Sequence, residues 1–467
     1  MAYTTINKST ENFDTNLYNS GGGNGQTISG MDFEPGMIWT KNRDNPSYIH
    51  AIVDQVRGGT KKLFPNDTGS GVGTDANAVT AFNSDGYTFG SSGSFNFSTT
   101  NYVNWCWRAG GSTPSQTYTV KVVSDSGNKY RFDDFGTSAV TLDLQEGGTY
   151  TFDASDSSVN SHPFVIGTAA NGSEYSTGVT YQLDGVTKTY SQYTSGFSSA
   201  TSRKLIITVA ASAPALYYWC SVHSGMGGAI NTNATHGSSD FKGSIQATVS
   251  ANPTGAFSVV KWTGTNGSGT IGHGLDVAPK FIIIRRLAAS STVVYHERIG
   301  NQRRLVLDGT DTQSGTSASY FNNTSPTTTT FSVGSDGGSN GSTDGYVAYC
   351  FAEKSGYCKI GMYRGNGNAD GAFTYTGFAP SLVVYKNISE ADEWFVKDNK
   401  RPGHNPTDLM FWSADNAETS LDRMNLHSNG FKATTTDKGA NKDGNEYVYL
   451  AIGQSVVGTN NIPATAR

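Results

Sequence analysis

Three segments of the chain share one layout, and this repeat constrains the fold more than any other feature. In each copy an aromatic residue ends a short strand, a proline 17 residues later opens an apolar strand, and a tyrosine a further 67 residues on opens another strand. The positions are Tyr18, Pro35 and Tyr102; Trp262, Pro279 and Tyr346; and Tyr363, Pro380 and Tyr447. Two identical spacings in three copies indicate an internal repeat, in which each copy is one structural module.

The repeats have the composition and pattern of β structure. Short apolar segments alternate with Gly, Asn and Asp turns, and there is no amphipathic helical pattern of useful length. Charged residues are only 15% of the chain but aromatic residues reach 12%, which favours strands and turns over disorder. We therefore predict an all-β fold of three tandem antiparallel β-sandwich repeats, each of about 95 residues and large enough to hold its own core.

One further domain interrupts the array. Copies one and two start 244 residues apart, whereas copies two and three start 101 apart. The excess predicts an insertion at 111–253, and both of its edges are rich in Gly, Ser, Thr and Pro, where insertion is tolerated. The predicted organisation is an N-terminal arm (1–16), repeat 1 (17–110), the insert (111–253), repeat 2 (254–355), repeat 3 (356–455) and a C-terminal tail (456–467).

The insert contains the most specific chemical pattern in the chain. Cys220, His223 and Met226 lie in the sequence Tyr-Tyr-Trp-Cys-Ser-Val-His-Ser-Gly-Met, and His162 lies in Ser-His-Pro-Phe. One thiolate, two imidazoles and one thioether are the donors of a mononuclear blue-copper centre, and soft sulfur with imidazole selects copper over hard cations. The neighbouring aromatic residues are expected to keep such a site dry.

These motifs resemble the plastocyanin and amicyanin group of cupredoxins. The resemblance rests on His-Pro-Phe after a Tyr-Thr-Phe-Asp strand, and on the short Cys-x₂-His-x₂-Met loop. It implies a Greek-key β-sandwich for the insert and one copper ion held by His162, Cys220, His223 and Met226. Two alternatives stay open: a sandwich of this kind can persist as a scaffold without metal, and a bound ion can serve only to staple the loops.

The repeats resemble a module of marine bacteriophage virion proteins, which cyanophages and related oceanic phages carry in tail fibres or appendages. The resemblance rests on Ala-Tyr-Thr-Thr-Ile-Asn-Lys-Ser at the start of the chain, on 269–284 (Gly-Thr-Ile-Gly-His-Gly-Leu-Asp-Val-Ala-Pro-Lys-Phe-Ile-Ile-Ile) and on 346–354 (Tyr-Val-Ala-Tyr-Cys-Phe-Ala-Glu-Lys). It implies a virion protein made in the host cytoplasm, and the start of the chain shows no secretory signal pattern.

We therefore expect a non-enzymatic structural protein: a tail fibre, spike or capsid appendage that contacts other virion subunits or a host surface glycan or receptor. We also expect a homo-oligomer. The net charge of −5 without a basic tract argues against nucleic-acid binding, and the lack of a long apolar run argues against membrane insertion. The alternatives are a copper electron-transfer protein and a lectin-like carbohydrate-binding protein, whose sugars would stack on exposed aromatic residues.

Two smaller predictions concern charged residues and thiols. Asp54 with Arg57, and Asp398 with Arg401, occupy matching positions in repeats 1 and 3, and we expect solvated ion pairs there rather than a surface binding pair. Cys106 and Cys350 also match in position, which makes them poor disulfide partners. We expect buried free thiols.

Overall fold

The computed structural model describes residues 4–23, 25–69, 71–406 and 408–455, so the predicted C-terminal tail (456–467) lies outside the described residues. Strands make up 43% of the chain and helices 6%, which confirms the all-β prediction. Among the described residues, no helix has the length and apolar character needed to cross a membrane. The chain forms two compact units, Met1–Ala109 with Ala251–Arg467, and Gly110–Ser250. The second unit corresponds to the predicted insert.

Repeat 1 consists of a main sheet and a small sheet. Its strands are β1 (Phe13–Asn19), β2 (Gln26–Ile28), β3 (Met37–Asn42), β4 (Ala51–Asp54), β5 (Lys61–Leu63), β6 (Val72–Thr74), β7 (Val79–Asn83), β8 (Gly86–Phe89) and β9 (Asn101–Trp107). The main sheet has the order β1-β9-β3-β4-β5-β6, and the small sheet the order β2-β8-β7. A short helix, α1 (Gly93–Asn96), precedes β9, and a 3-10 turn (Ser9–Glu11) precedes β1.

The strands of the insert are β10 (Ser115–Ser124), β11 (Asn128–Phe132), β12 (Leu142–Gln145), β13 (Thr149–Asp153), β14 (Phe164–Ala169), β15 (Gly172–Glu174), β16 (Val179–Leu183), β17 (Val186–Lys188), β18 (Arg203–Thr208), β19 (Leu216–Cys220), β20 (Gly228–Asn233), β21 (Ser238–Asp240) and β22 (Ala247–Asn252). Its helices are α2 (Tyr190–Gly196) and the 3-10 turns Ser157–Val159 and Phe197–Ser199. One sheet has the order β11-β10-β13-β18-β16-β17 and the other β12-β20-β19-β14-β15.

The two sheets of the insert face each other across an aromatic core. Phe152 of β13 and Phe164 of β14 have ring centroids 5.0 Å apart, and Phe132 of β11 lies 5.0 Å from Tyr218 of β19. These four rings are fully or almost fully buried. Alternate residues of each strand supply them, as expected when one face of a sheet covers another. The insert is a β-sandwich.

Repeats 2 and 3 repeat the arrangement of repeat 1. Repeat 2 contains β23 (Phe257–Thr263), β24 (Gly269–Gly272), β25 (Pro279–Arg286), β26 (Val293–His296), β27 (Leu305–Val306), β28 (Thr330–Val333) and β29 (Gly345–Ala352), with α3 (Ala318–Phe321) and a 3-10 turn (Glu297–Ile299). Repeat 3 contains β30 (Cys358–Arg364), β31 (Phe373–Tyr375), β32 (Ala379–Asn387), β33 (Trp394–Asp398), β34 (Met410–Phe411), β35 (Met424–His427), β36 (Gly430–Ala433) and β37 (Glu446–Gln454). Within repeat 2 the strands of the main sheet follow the order β23-β29-β25-β26-β27, and within repeat 3 the order β30-β37-β32-β33-β34. The small sheets have the orders β24-β28 and β31-β36-β35.

The aromatic anchors of the sequence repeat are cross-strand pairs. Tyr18 lies opposite Tyr102, Trp262 opposite Tyr346, and Tyr363 opposite Tyr447. The ring centroids of these pairs are 5.4, 5.4 and 4.8 Å apart, and each pair is stacked. Aromatic pairs of this kind stabilise neighbouring strands. The spacing conserved along the sequence therefore fixes the pairing of the first and last strands of each module.

The largest core is shared by the three repeats, contrary to the prediction of separate sandwich cores. It contains inward-facing residues of all three main sheets and one from the N-terminal segment, Ile6. Repeat 1 contacts repeat 3 through Trp39 and Trp412, whose ring centroids are 4.0 Å apart. Trp107 meets Phe351 of repeat 2 at 5.9 Å, and Phe281 of repeat 2 meets Trp394 of repeat 3 at 6.1 Å. Separate, smaller clusters fill the space under the small sheets of repeats 1 and 3.

The Asp–Arg pairs are buried, so the prediction of solvated ion pairs is wrong. The side chains of Asp398 and Arg401 are 0% exposed and 2.6 Å apart, and Asp398 also accepts a hydrogen bond from Trp105 Nε1 of repeat 1 (3.1 Å). Asp54 and Arg57 form an equally short pair with side chains 0% and 3% exposed. Composition could not reveal this, because the burial comes from a neighbouring repeat.

Each pair lies where one repeat meets the next. Asp54 of repeat 1 accepts a hydrogen bond from the hydroxyl of Tyr349 of repeat 2 (2.8 Å). His296 occupies the matching position in repeat 2, and its Nε2 lies 3.3 Å from the carbonyl oxygen of Tyr449 in repeat 3. Together with Asp398 and Trp105, these contacts link repeat 1 to 2, 2 to 3 and 3 to 1. Each of the three repeats therefore contacts the other two, so they form a closed ring within one chain.

The predicted N-terminal arm is part of the body. Strand β1 starts at Phe13, inside the segment predicted as the arm (1–16). Before it, Ile6 is 3% exposed, and the backbone N–H of Ser9 donates to Gln454 Oε1 (2.6 Å) near the end of repeat 3. Residues 4–12 therefore pack against both repeat 1 and repeat 3.

Candidate metal centre

Two neighbouring strands bring the predicted ligands to one end of the insert. Strands β14 and β19 are antiparallel, and Phe164 at the start of β14 lies opposite Cys220 at the end of β19. His162 precedes β14 by two residues, so it reaches the same end as Cys220. His223 and Met226 follow on the loop 221–227. The strand register thus explains why residues 58 positions apart in the chain meet.

The structure places three of the predicted ligand atoms around a common point. His162 Nδ1 and His223 Nδ1 are 3.0 Å apart, and Cys220 Sγ lies 3.9 and 3.7 Å from them. A circle through these three atoms has a radius of about 2.1 Å. Bonds from zinc, for example, are about 2.0–2.1 Å long to imidazole and about 2.3 Å to thiolate. The three donor atoms are therefore close enough together that all three could hold one transition-metal ion.

Burial differs among the four predicted ligands. His162, Cys220 and Met226 are 7%, 2% and 1% exposed, whereas His223 is exposed. Burial, and then the nearby His223 imidazole, lower the pKa of His162, which favours its neutral, metal-binding form. Met226 lies at the end of the loop in the same core as Cys220.

Two residues of β11 support His162. The Tyr130 hydroxyl donates a hydrogen bond to the carbonyl oxygen of His162 (2.8 Å), and Asn128 Nδ2 lies 3.4 Å from His162 Nε2. Burial, and then the charge of Cys220, raise the pKa of Tyr130 well above its usual value, so the hydroxyl remains a donor. Contacts of this kind to the outer nitrogen and backbone of a ligating histidine fix the orientation of its ring.

Arg203 holds the segment that leads to His162. Its side chain donates to the carbonyl oxygens of Ser155 (2.8 Å) and Asp156 (3.1 Å) and forms a hydrogen bond with the Asn160 side chain. The segment then ends with a hydrogen bond from the backbone N–H of His162 to the Val159 carbonyl (2.8 Å). A buried guanidinium with several carbonyl partners therefore fixes the approach to the site.

The loop 221–227 is held at both sides by side chains and by close packing. The backbone N–H of Gly225 donates to Asn171 Oδ1 (3.0 Å), and Lys129 Nζ donates to the Gly225 carbonyl. Gly225 has φ +74°, a conformation that favours glycine. A Cβ on Gly227 would lie 1.7 Å from the Tyr218 carbonyl oxygen, so this position has room for glycine alone.

The donor set and its spacing fit a thiolate- and imidazole-binding transition metal. No other group of three or more His, Cys, Asp or Glu residues with this proximity occurs among the described residues. Sequence reasoning named the three residues that meet here, and Met226 stays a predicted ligand. It missed Asn128, Tyr130 and Arg203. Tyr130 lies at an inward position of an alternating strand, which indicates core, and the sequence gives no further signal for the other two.

The comparisons with known proteins concern mainly the repeats. A family model described as "Domain of unknown function (DUF7483)" matches residues 8–133 and 229–455. The stretch between the two matched segments holds His162, Cys220, His223 and Met226. Searches of curated proteins and of solved structures found no match.

Proposed function

The chain belongs to the family defined by DUF7483, a domain of unknown function, and on this premise we propose that it is a structural protein of a phage virion. It is a tail fibre, spike or capsid appendage, and it contacts other virion subunits or the host surface. The observation that carries this proposal is the module, repeated three times, whose sequence resembles marine phage virion proteins.

The test is to locate the chain on particles. Particles from the phage that encodes the chain are imaged by immunogold electron microscopy, with antibodies against repeats 1–3. We expect label on the tail or on the capsid surface of intact particles. The proposal would be rejected if the chain is abundant in the lysate but the assembled particles carry no label.

We propose separately that the insert holds one copper ion. His162, Cys220 and His223 would hold it, and the Met226 thioether is the candidate for a fourth donor. This proposal is supported by the 3.0, 3.7 and 3.9 Å separations of the three donor atoms. When bound in such a donor set, copper supplies one-electron transfer.

The surrounding residues would control access to the ion. Phe164 is fully buried beside Cys220 and, together with the strand pair β14–β19, excludes water from the sulfur side. His223 is exposed, and its neighbour Val222 is 64% exposed, so one ligand edge faces solvent. This arrangement gives a redox partner access to one imidazole while the thiolate stays protected.

The test is the visible spectrum of the full chain after loading with Cu²⁺, beside the same measurement on variants. We expect an intense blue band that is lost in His162→Ala and in Cys220→Ser. His404→Ala removes an exposed histidine elsewhere in the chain and is the matched control that should keep the band. A spectrum without the blue band and a melting temperature unchanged by Cu²⁺ would reject both the redox site and the metal staple.

A further inference from the structure

The outer face of the small sheet in repeat 3 displays aromatic side chains to solvent. Phe373 and Tyr375 of β31 are 45% and 61% exposed and lie on the same side of their strand. Tyr375 pairs with Gly430 of β36, which in turn pairs with His427 of β35. The Phe373 and His427 rings are 5.8 Å apart. Two rows of the sheet thus place three rings on one exposed face.

The other repeats show that the fold does not need these aromatic residues. Thr27 of repeat 1 occupies the position of Phe373. Both residues pair with the third residue of the neighbouring strand, which in both repeats begins with a glycine. In repeat 2 the matching residue is Thr270, opposite Ser332. Threonine at both matching positions indicates that a polar, non-aromatic face is sufficient for the small sheet. The aromatic side chains of repeat 3 therefore need another explanation.

The aromatic face also carries hydrogen-bonding groups of balanced charge. Lys432 lies directly opposite Phe373 and forms an ion pair with Asp370, whose side chain is 83% exposed. Gly430, between Tyr375 and His427, leaves room for the Phe373 ring, because a Cβ there would lie 2.7 Å from Phe373 Cζ. The face combines ring surfaces with donors and acceptors at their edge, and Gly430 leaves space for one of the rings.

We propose that this face binds a saccharide ring of a neutral glycan. The face of an aromatic ring is electron-rich and attracts the weakly positive C–H bonds on one side of a sugar ring. The hydroxyl groups at the rim of the same sugar would meet His427, Asp370 and Lys432. A purely apolar partner would take the Asp370–Lys432 ion pair out of water without replacing its hydrogen bonds to water. A polyanion would meet no net positive charge, because Asp370 neutralises Lys432.

This inference deepens the proposed function, because a glycan would be the host-surface contact of the virion protein. The two can fail separately. Particle labelling tests the virion assignment without reference to sugars, whereas glycan binding by the purified chain tests this face without reference to particles.

The test is an array of defined oligosaccharides, which contains neutral hexose and N-acetylhexosamine chains beside their sulfated and uronic-acid counterparts. The full chain is applied, and the best neutral binder is then titrated by calorimetry. We expect neutral chains to bind, Phe373→Ala and Tyr375→Ala each to weaken binding about threefold to tenfold, and Tyr375→Trp to retain it. The double alanine variant should show no measurable binding.

Two control variants test whether a loss of glycan binding is specific to this face. Phe97→Ala removes an aromatic side chain of similar exposure (38%) from repeat 1, and Thr27→Ala changes the matching position of the small sheet. Both should bind as the unchanged chain does. No binding to any neutral sugar, binding restricted to the charged chains, or equal binding by the double alanine variant with an unchanged melting temperature would overturn the inference.

Discussion

Asp398→Ala should strongly destabilise the unit formed by the three repeats. Asp398 is completely buried and accepts hydrogen bonds from Arg401 Nε (2.6 Å), Trp105 Nε1 (3.1 Å) and two backbone N–H groups (both 3.0 Å). Among the described residues, its removal leaves Glu418, at 3.2 Å, as the ion-pair partner of the buried Arg401 guanidinium. Breaking a buried pair from one side costs about 3–5 kcal/mol. The free energy of unfolding should fall by that amount.

Urea denaturation followed by tryptophan fluorescence measures this effect selectively. Of the seven tryptophans of the chain, Trp219 alone lies in the insert, so fluorescence reports mainly on the repeats. At a urea m-value of about 3 kcal/mol/M, the midpoint should fall by about 1 M or more. Asp398→Leu with Arg401→Met removes both charges and should cost less than Asp398→Ala alone, because no unpaired buried charge remains.

The control is Lys121→Ala, which removes a largely solvent-exposed ion pair with Asp134 in the insert. It should leave the fluorescence midpoint unchanged. An unchanged midpoint for Asp398→Ala would refute the reasoning. It would mean that the Asp398–Arg401 pair does not stabilise the contact between repeats 3 and 1.

Three further predictions concern pH, the metal loop and the thiols. Burial lowers the pKa of His50 to about 3 and that of His296 to about 4. Each histidine has a pKa of about 6.5 in the unfolded chain, so below that pH the unfolded state binds protons that the folded state does not. The free energy of unfolding should therefore fall as the pH drops from about 6.5 toward the folded pKa values, by up to about 1.4 kcal/mol per pH unit for each group. Urea midpoints measured from pH 7 to pH 4 should fall accordingly, and His50→Gln or His296→Gln should flatten the decline; parallel curves would contradict this. Gly227→Ala should destabilise the insert by about 1–3 kcal/mol through overpacking against the Tyr218 carbonyl. Gly136 lies in open space, so Gly136→Ala should not change the melting curve of the insert. Equal melting curves for the two variants would contradict the close packing of the loop. Burial raises the pKa of Cys106, Cys350 and Cys358, so Ellman's reagent should modify them only after unfolding; rapid modification in native buffer would show that these thiols are accessible.

The sequence predicted the repeated strands and the ligand cluster because both depend on local patterns. The spacing of Tyr18 and Tyr102 reflects direct cross-strand contact, and the short loop from Cys220 to Met226 limits how far its ligands can separate. The buried free thiols predicted for Cys106 and Cys350 are confirmed. The metal itself stays a prediction.

The shared core was not predicted, although the sequence contains a signal for it. Residues 281–284 and 382–385 are continuous apolar runs rather than alternating ones, and such runs indicate strands that are buried on both faces. In the structure Ile38 faces the cluster under the small sheet while Met37 and Trp39 face the shared core. The pattern shows that a second face is covered, but not by which module. The burial of the Asp–Arg pairs could not be predicted for the same reason.

Because the three repeats belong to one chain, each repeat can differ in sequence from the other two. In a trimer of identical chains, any insertion or aromatic substitution appears three times, once per subunit. Here the copies are covalently joined, so the insert after repeat 1 and the aromatic face of repeat 3 each occur once in the ring. Covalent linkage of this kind frees the copies from enforced symmetry, so each chain carries one cluster of His162, Cys220 and His223 and one aromatic face.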